Sequence, residues 1–189
     1  MPETDLLLSQ IDRLVNIVRS IQLKRVLHTV EEDSHLNFWR FIKGNLFDVA
    51  VIEWCKIFGT DNERTHWKNV VTCPDEFRKK LFEHMGVDEP TWNAYWKEMK
   101  KYRNTHISHN DKPDSSSEKY PQLDLALKSS YFYYAFLVDE LKKREVFGSK
   151  QKFKFPDSLE EYSKKFVEQS IKVAKKAMDA TKVIKESVY

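Results

Sequence analysis

Glycine is scarce in this chain, with four in 189 residues. Gly59, Gly86 and Gly148 each close an apolar-periodic segment, the place of a helix C-cap. That distribution leaves no glycine-rich loop to cradle phosphates, so the nucleoside-triphosphate and dinucleotide fingerprints are missing. Cysteine is scarcer still: Cys55 and Cys73 are the only two, and Cys55 sits in an apolar run where a thiol acts as a small hydrophobe. Two cysteines support neither a disulfide framework nor a cysteine-based zinc site. No GxSxG elbow and no HExxH pair occurs.

No apolar run approaches the roughly 20 residues of a membrane helix, so no membrane partner is expected. The opening MPETDLLLSQIDR carries acidic residues where a signal peptide would be basic, and a cytoplasmic location is expected. The formal net charge is only +3, too small to be a nucleic-acid footprint by itself. No stretch alternates with period two for long enough to make a sheet.

What is present is a charge-rich folding sequence, 41% apolar and 32% charged, of a length that suits one well-buried core. A single domain over residues 1–189 is therefore expected. From Thr4 to Glu31, Leu7, Ile11, Leu14, Val18 and Ile21 recur at spacings of four and three, one stripe of a helix. A second helix is expected from an N-cap at Asp33 or Ser34 to Phe58. Its apolar residues lie almost all round, which predicts a place in the middle of a bundle. The run CPDEFRKKLFEHMG reads as a short inserted helix, with Pro74 in the first turn and Gly86 as its stop. Trp92, Tyr95, Trp96, Met99 and Tyr102 form an inward aromatic stripe in the segment that follows.

The run NDKPDSSSEKY is a polar loop. Leu127, Tyr131, Tyr134, Val138 and Leu141 then resume the helical spacing, and beyond Pro156 so do Phe166, Val173, Ala177, Ala180 and Ile184. The expected fold is all-α: an antiparallel bundle of four long helices with one or two short inserted ones.

The chemistry concentrates in KKYRNTHISHND. Between Ala94 and Lys112, Lys97, Lys100, Lys101, Arg103 and Lys112 face only Glu98 and Asp111, an excess equal to the net charge of the whole chain. Lys100, Lys101 and Lys112 are candidate RNA contacts. Three readings fit the cluster: a solvated helix end, a metal site, or an acid–base and phosphate site. His106 and His109, three apart on one helix face and near Asp111, could ligate a metal, but the sequence names no third ligand.

A metal-free reading uses Arg103, whose planar guanidinium holds a phosphate through two hydrogen bonds. An imidazole titrates near neutrality and can take and return a proton. Asn104 adds a neutral donor or orients the imidazole. Such a set suits cleavage of RNA by its own 2′-hydroxyl, with no metal and no cofactor. His106 reads as an auxiliary acid or an exposed side chain, and Asp111, the other candidate auxiliary, more readily as a loop or capping residue. Asn45, Asp48 and Glu53 interrupt the apolar second helix; one that is buried requires a partner, and the motif is a candidate. His66 and Trp67 read as local packing.

RNTHISHND resembles the signature of the HEPN superfamily (higher eukaryotes and prokaryotes nucleotide-binding), an Arg followed by a polar residue and, a short run later, a His. Arg103 matches that Arg and Asn104 its polar follower; His109, separated from Arg103 by five residues, matches the His. The ending Ile107-Ser108-His109-Asn110-Asp111 is similar to the iAHxD ending of the abortive-infection AbiU-type branch. The apolar second helix and the FG...HWK stretch from Phe58 to Lys68 resemble the same branch. The resemblance implies an α-helical homodimer whose two motifs face each other. It also implies metal-independent endoribonuclease activity in phage defence or toxin–antitoxin systems, with RNA as substrate and an antitoxin protein as a further partner. Some members of the superfamily are non-catalytic, so a helical dimer binding RNA, nucleotide or protein is the alternative.

Overall fold

Helix-forming segments with few glycines and well-placed caps account for the architecture. In the computed structural model, residues 3–30, 36–108, 120–144 and 155–184 are described. They form α1 (Thr4–Val30), α2 (Asn37–Trp54), α3 (Pro74–Met85), α4 (Glu89–Tyr102), α5 (Asp124–Lys143) and α6 (Leu159–Thr181). Four of these have 18 or more residues, and α3 and α4 are the shorter pair. No strand occurs among the described residues, so the protein is an all-α bundle. No helix of the described residues is long and apolar enough to cross a membrane.

The caps follow the sequence. Asp88 accepts from the Thr91 amide at 2.9 Å and starts α4, with Pro90 in its first turn. Ser158 accepts from the Glu161 amide at 3.2 Å and starts α6, whose first turn carries Glu160 and Glu161 against the helix dipole. Gly86 ends α3 at φ 71°, a left-handed conformation that costs a side-chain-bearing residue more. The segments predicted at Asp33, Ser34, Asn110–Lys119 and Gly148 lie outside the described residues.

α1 is the axis of the bundle, packing against α2, α5 and α6. Leu7, Ile11, Leu14, Val18 and Ile21 are all fully buried, as their spacing predicts. Arg13 meets Glu53 near the start of α1, and Val26 and Leu27 share a cluster with Trp39 near its end, so α1 and α2 are antiparallel. Gln10 with Tyr133 and Arg25 with Asp124 set α5 antiparallel to α1. Arg19 with Tyr162, and Val26 with Ala174 and Met178, set α6 alongside α1 in the same direction.

Two expectations are corrected. α2 was expected in the middle, yet α1 occupies that place, and Phe38 and Phe41 of α2 are 57% and 70% exposed. The reason is that α2 packs against α1 along its length and meets α6 through Trp39 near its start, an arrangement that leaves Phe38 and Phe41 on a solvent-facing side. In α6 the buried positions are Leu159, Ser163, Ala174 and Met178, whereas Val173 and Ile184 are exposed. Ser163 belongs to the core side because its hydroxyl accepts from Gln22 at 2.9 Å and Tyr131 at 2.8 Å, which no hydropathy pattern displays.

The main core is aromatic at the end that carries the motif. Trp54, Phe58, Trp92, Tyr95 and Tyr133 pack with ring centroids between 5.4 and 6.3 Å apart. Trp54 donates to Ser129 Oγ at 3.1 Å, and Gln10 links Tyr133 to the Thr65 carbonyl, so the Trp54 indole and the Tyr133 hydroxyl both have partners inside this core. α2 does not continue to Phe58 as an α-helix. Its last turn widens at Cys55–Gly59 into a π-helical turn.

Candidate functional site

α4 ends in the same way. After Tyr102 the chain passes into a second π-helical turn, Arg103–Ser108, and the two turns belong to helices that pack together. A π-helical turn frees backbone carbonyls from the regular ladder and is found in short pieces, frequently at functional sites. Here the Arg103 amide bonds back to the Lys100 and Met99 carbonyls, and the Thr105 hydroxyl donates to the Lys101 carbonyl at 2.9 Å.

Arg103 is held by its neighbour. Its Nε and Nη2 donate to the Asn104 Oδ1 at 3.0 and 2.9 Å, two bonds that fix the plane of the guanidinium. Its Nη1 lies over Gly59: a Cβ added there would stand 3.8 Å from it, and 3.0 Å from the Cβ of Cys55. Glycine at 59 thus lets the widened end of α2 and the Arg103 side chain approach each other. Cys55 is buried beneath them, its Sγ 3.8 Å from the Met99 carbonyl. Burial pushes the Cys55 thiol up to about 11, against the opposing pull of the Arg103 and Lys100 charges. The thiol is accordingly neutral at physiological pH.

On another side, Tyr102 donates to Asp48 Oδ1 at 2.8 Å. Burial first, and the Asp48 carboxylate second, raise the Tyr102 pKa above that of a free phenol. The His106 ring stacks on Tyr102 with centroids 4.8 Å apart, and Tyr120 stands beside both, 5.6 Å from Tyr102 and 6.4 Å from His106. Phe47 closes the group edge-on to both tyrosines.

Of the three polar residues that interrupt α2, then, Asp48 is the one that supports the motif helix. Glu53 turns instead to Arg13 at 2.5 Å and Lys56 at 2.7 Å; burial opposes its charge, yet those bonds hold its pKa below the usual range. Asn45 is exposed. Arg103, Asn104 and His106 are thus brought together on one turn. Lys100 reaches over the Trp96 ring at 3.8 Å, and Lys101 is exposed. His109, Asp111 and Lys112 lie outside the described residues.

His66 and Trp67, read from sequence as packing, are buried, with Trp67 in the main core and stacked on Phe77. Both line a cleft of about 420 Å³ whose rim includes Gly59 and Lys100. His66 is 1% exposed; its Nδ1 accepts from the Lys68 amide at 3.3 Å and its Nε2 faces Asp61 at 3.4 Å. Burial lowers its pKa to about 4 despite the Asp61 charge, so the imidazole is neutral near pH 7. The signal in the sequence was the irregular polar run Thr60–Lys68, which carries a Trp and a His without helical period. Among the described residues no three His, Cys, Asp or Glu side chains converge.

No family model, no curated protein and no solved structure matches this chain.

Proposed function

We propose that this chain is a metal-independent endoribonuclease of the HEPN type, acting in phage defence or as a toxin. The observation that carries the reading is the Arg103–Asn104 pair: a permanent cation oriented by two hydrogen bonds at the end of a helix that leads directly to His109. The lysine-rich last turn of α4 supports it by supplying charge for a phosphate backbone.

In the proposed reaction the His109 imidazole takes the proton of an RNA 2′-hydroxyl. The 2′-oxygen bonds to the adjacent phosphorus, the bond from phosphorus to the 5′-oxygen breaks, and that oxygen takes a proton from the imidazole of a second motif. Arg103 offsets the negative charge that develops on the phosphate oxygens. The products are a 2′,3′-cyclic phosphate and a 5′-hydroxyl. The second motif belongs to a second copy in a homodimer. The exposed Phe38, Phe41 and Val49 of α2, together with the exposed Tyr120, support an apolar contact surface for a partner copy or an antitoxin protein.

One observation favours the non-catalytic alternative. The exposed Tyr120 ring, beside the stacked Tyr102 and His106 rings, is the kind of aromatic surface on which unpaired bases lie without being cut. The experiment that separates the two compares wild type, Arg103→Ala and His109→Ala on labelled RNA. The nuclease reading expects cleavage by wild type and a loss of about 100-fold to 10,000-fold in each variant, with helicity and dimerisation retained. RNA binding without cleavage by wild type selects the alternative.

A further inference from the structure

The cleft beside the motif has walls that suit a specific occupant. Trp96 forms one of them, and its indole is fixed because Nε1 donates to the Phe58 carbonyl at 2.8 Å. Asn93 and Asn62, both exposed, bring amide groups that donate and accept at once, as the edge of a nucleobase requires. Lys68 and Arg78 supply positive charge near the irregular segment, where Lys68 is paired with Asp61. The volume, about 420 Å³, is within the range of roughly 300–1,000 Å³ typical of small-ligand sites.

Two residues join this cleft to the motif. Gly59 lines the cleft and also receives the Arg103 guanidinium. Lys100 lines it, lies over Trp96, and stands on α4 one turn before Arg103. A nucleotide whose phosphate rests on Arg103 therefore has its base within reach of the cleft.

We propose that this cleft is a base-binding subsite, taking one unpaired nucleobase of the RNA strand whose phosphate Arg103 holds. The assignment rests on the RNA reading given above and adds where sequence preference comes from. The base lies against the Trp96 indole, its edge meets the Asn93 and Asn62 amides, and Lys100 follows the backbone toward Arg103. Phosphate contacts give affinity without regard to sequence, whereas a base pocket discriminates.

The test uses four 2′-O-methyl RNA hexamers, each of a single base, which bind but lack the attacking hydroxyl. Their binding to the full chain is measured by fluorescence anisotropy for wild type, Asn93→Trp, Asn62→Trp and Arg103→Ala. The two Trp variants fill the cleft from two separate exposed positions, and thermal melting checks that each is folded. Wild type is expected to prefer one hexamer; each Trp variant should bind that hexamer about 5-fold to 100-fold more weakly, the effect of one stacked base, and lose the preference. Arg103→Ala should weaken all four alike. Unchanged binding and preference in both folded Trp variants overturns the cleft assignment and leaves the RNA reading standing. Failure of wild type to bind any hexamer overturns the RNA reading, and the subsite with it.

Discussion

Asn104 holds Arg103: one amide oxygen accepts from both Nε and Nη2, at 3.0 and 2.9 Å, and the remaining guanidinium nitrogen lies over Gly59. An arginine side chain has many rotamers, and ordering it costs entropy. The Asn104 amide meets that cost before any phosphate arrives. Replacing Asn104 with Ala should therefore lower RNA cleavage by about 10-fold, since positioning and not charge is lost. Arg103→Lys, which keeps the charge but not the fork, should lose more. Single-turnover rates of the folded variants are the check, and equal rates for wild type and Asn104→Ala would show that the pair has no catalytic consequence.

Gly59 is constrained by contact. A Cβ there meets the Cys55 Cβ at 3.0 Å, inside a buried π-helical turn that has little room to shift. Gly59→Ala is expected to destabilise the protein by about 1–3 kcal/mol, the usual cost of overpacking a core. Gly44 offers a control, because nothing lies within 4 Å of an added Cβ; Gly44→Ala in the middle of α2 should be stabilising by about 0.5–1 kcal/mol. Urea denaturation of the two variants measures both.

Stability should depend on pH through His66. Its folded pKa, about 4, is below the ordinary value of 6.5, because burial disfavours the charged form. The unfolded chain consequently binds a proton that the folded chain refuses, and the stabilisation is fully present above about pH 6.5. It is lost as pH falls from about 6.5 toward 4. The expected loss is about 1–3 kcal/mol, allowing for solvent screening from the open cleft. Denaturation midpoints at pH 7 and pH 5 should converge for His66→Gln relative to wild type. An equal pH slope in both proteins would remove His66 from the account.

The two thiols should differ. Cys73 is exposed, while Cys55 is buried with its pKa pushed up to about 11. A thiol reagent at pH 8 is expected to modify one cysteine quickly and the second only on unfolding. Rapid modification of both in the folded protein would mean that the Arg103–Gly59 region opens readily.

The helices were legible because their signals are local. The stripe of α1, the stop at Gly86 and the start marked by Pro90 follow from spacing and from residues with special backbone preferences. α2 was misplaced because hydropathy reports what a residue prefers and not what surrounds it: Phe38 and Phe41 are apolar and exposed. The stripe of α6 was misread because Ser163 and Ala174 are buried without being strongly hydrophobic. At the site, Arg103 and Asn104 were legible as a dipeptide, but Gly59, Cys55 and Asp48 join them only through the packing of α2 on the α4 region. The cleft was illegible for the same reason, its walls coming from three separate stretches of chain.

The most direct test of the proposed nuclease is the chemistry of its product. Purified chain is incubated in chelator with an end-labelled RNA and, separately, with DNA of the same sequence, and the new ends are identified. The account predicts cleavage of the RNA alone, leaving a 2′,3′-cyclic phosphate and a 5′-hydroxyl, with a single deoxyribose at the scissile position blocking the cut. Cleavage that requires a divalent metal, or equal cutting of DNA, would contradict it.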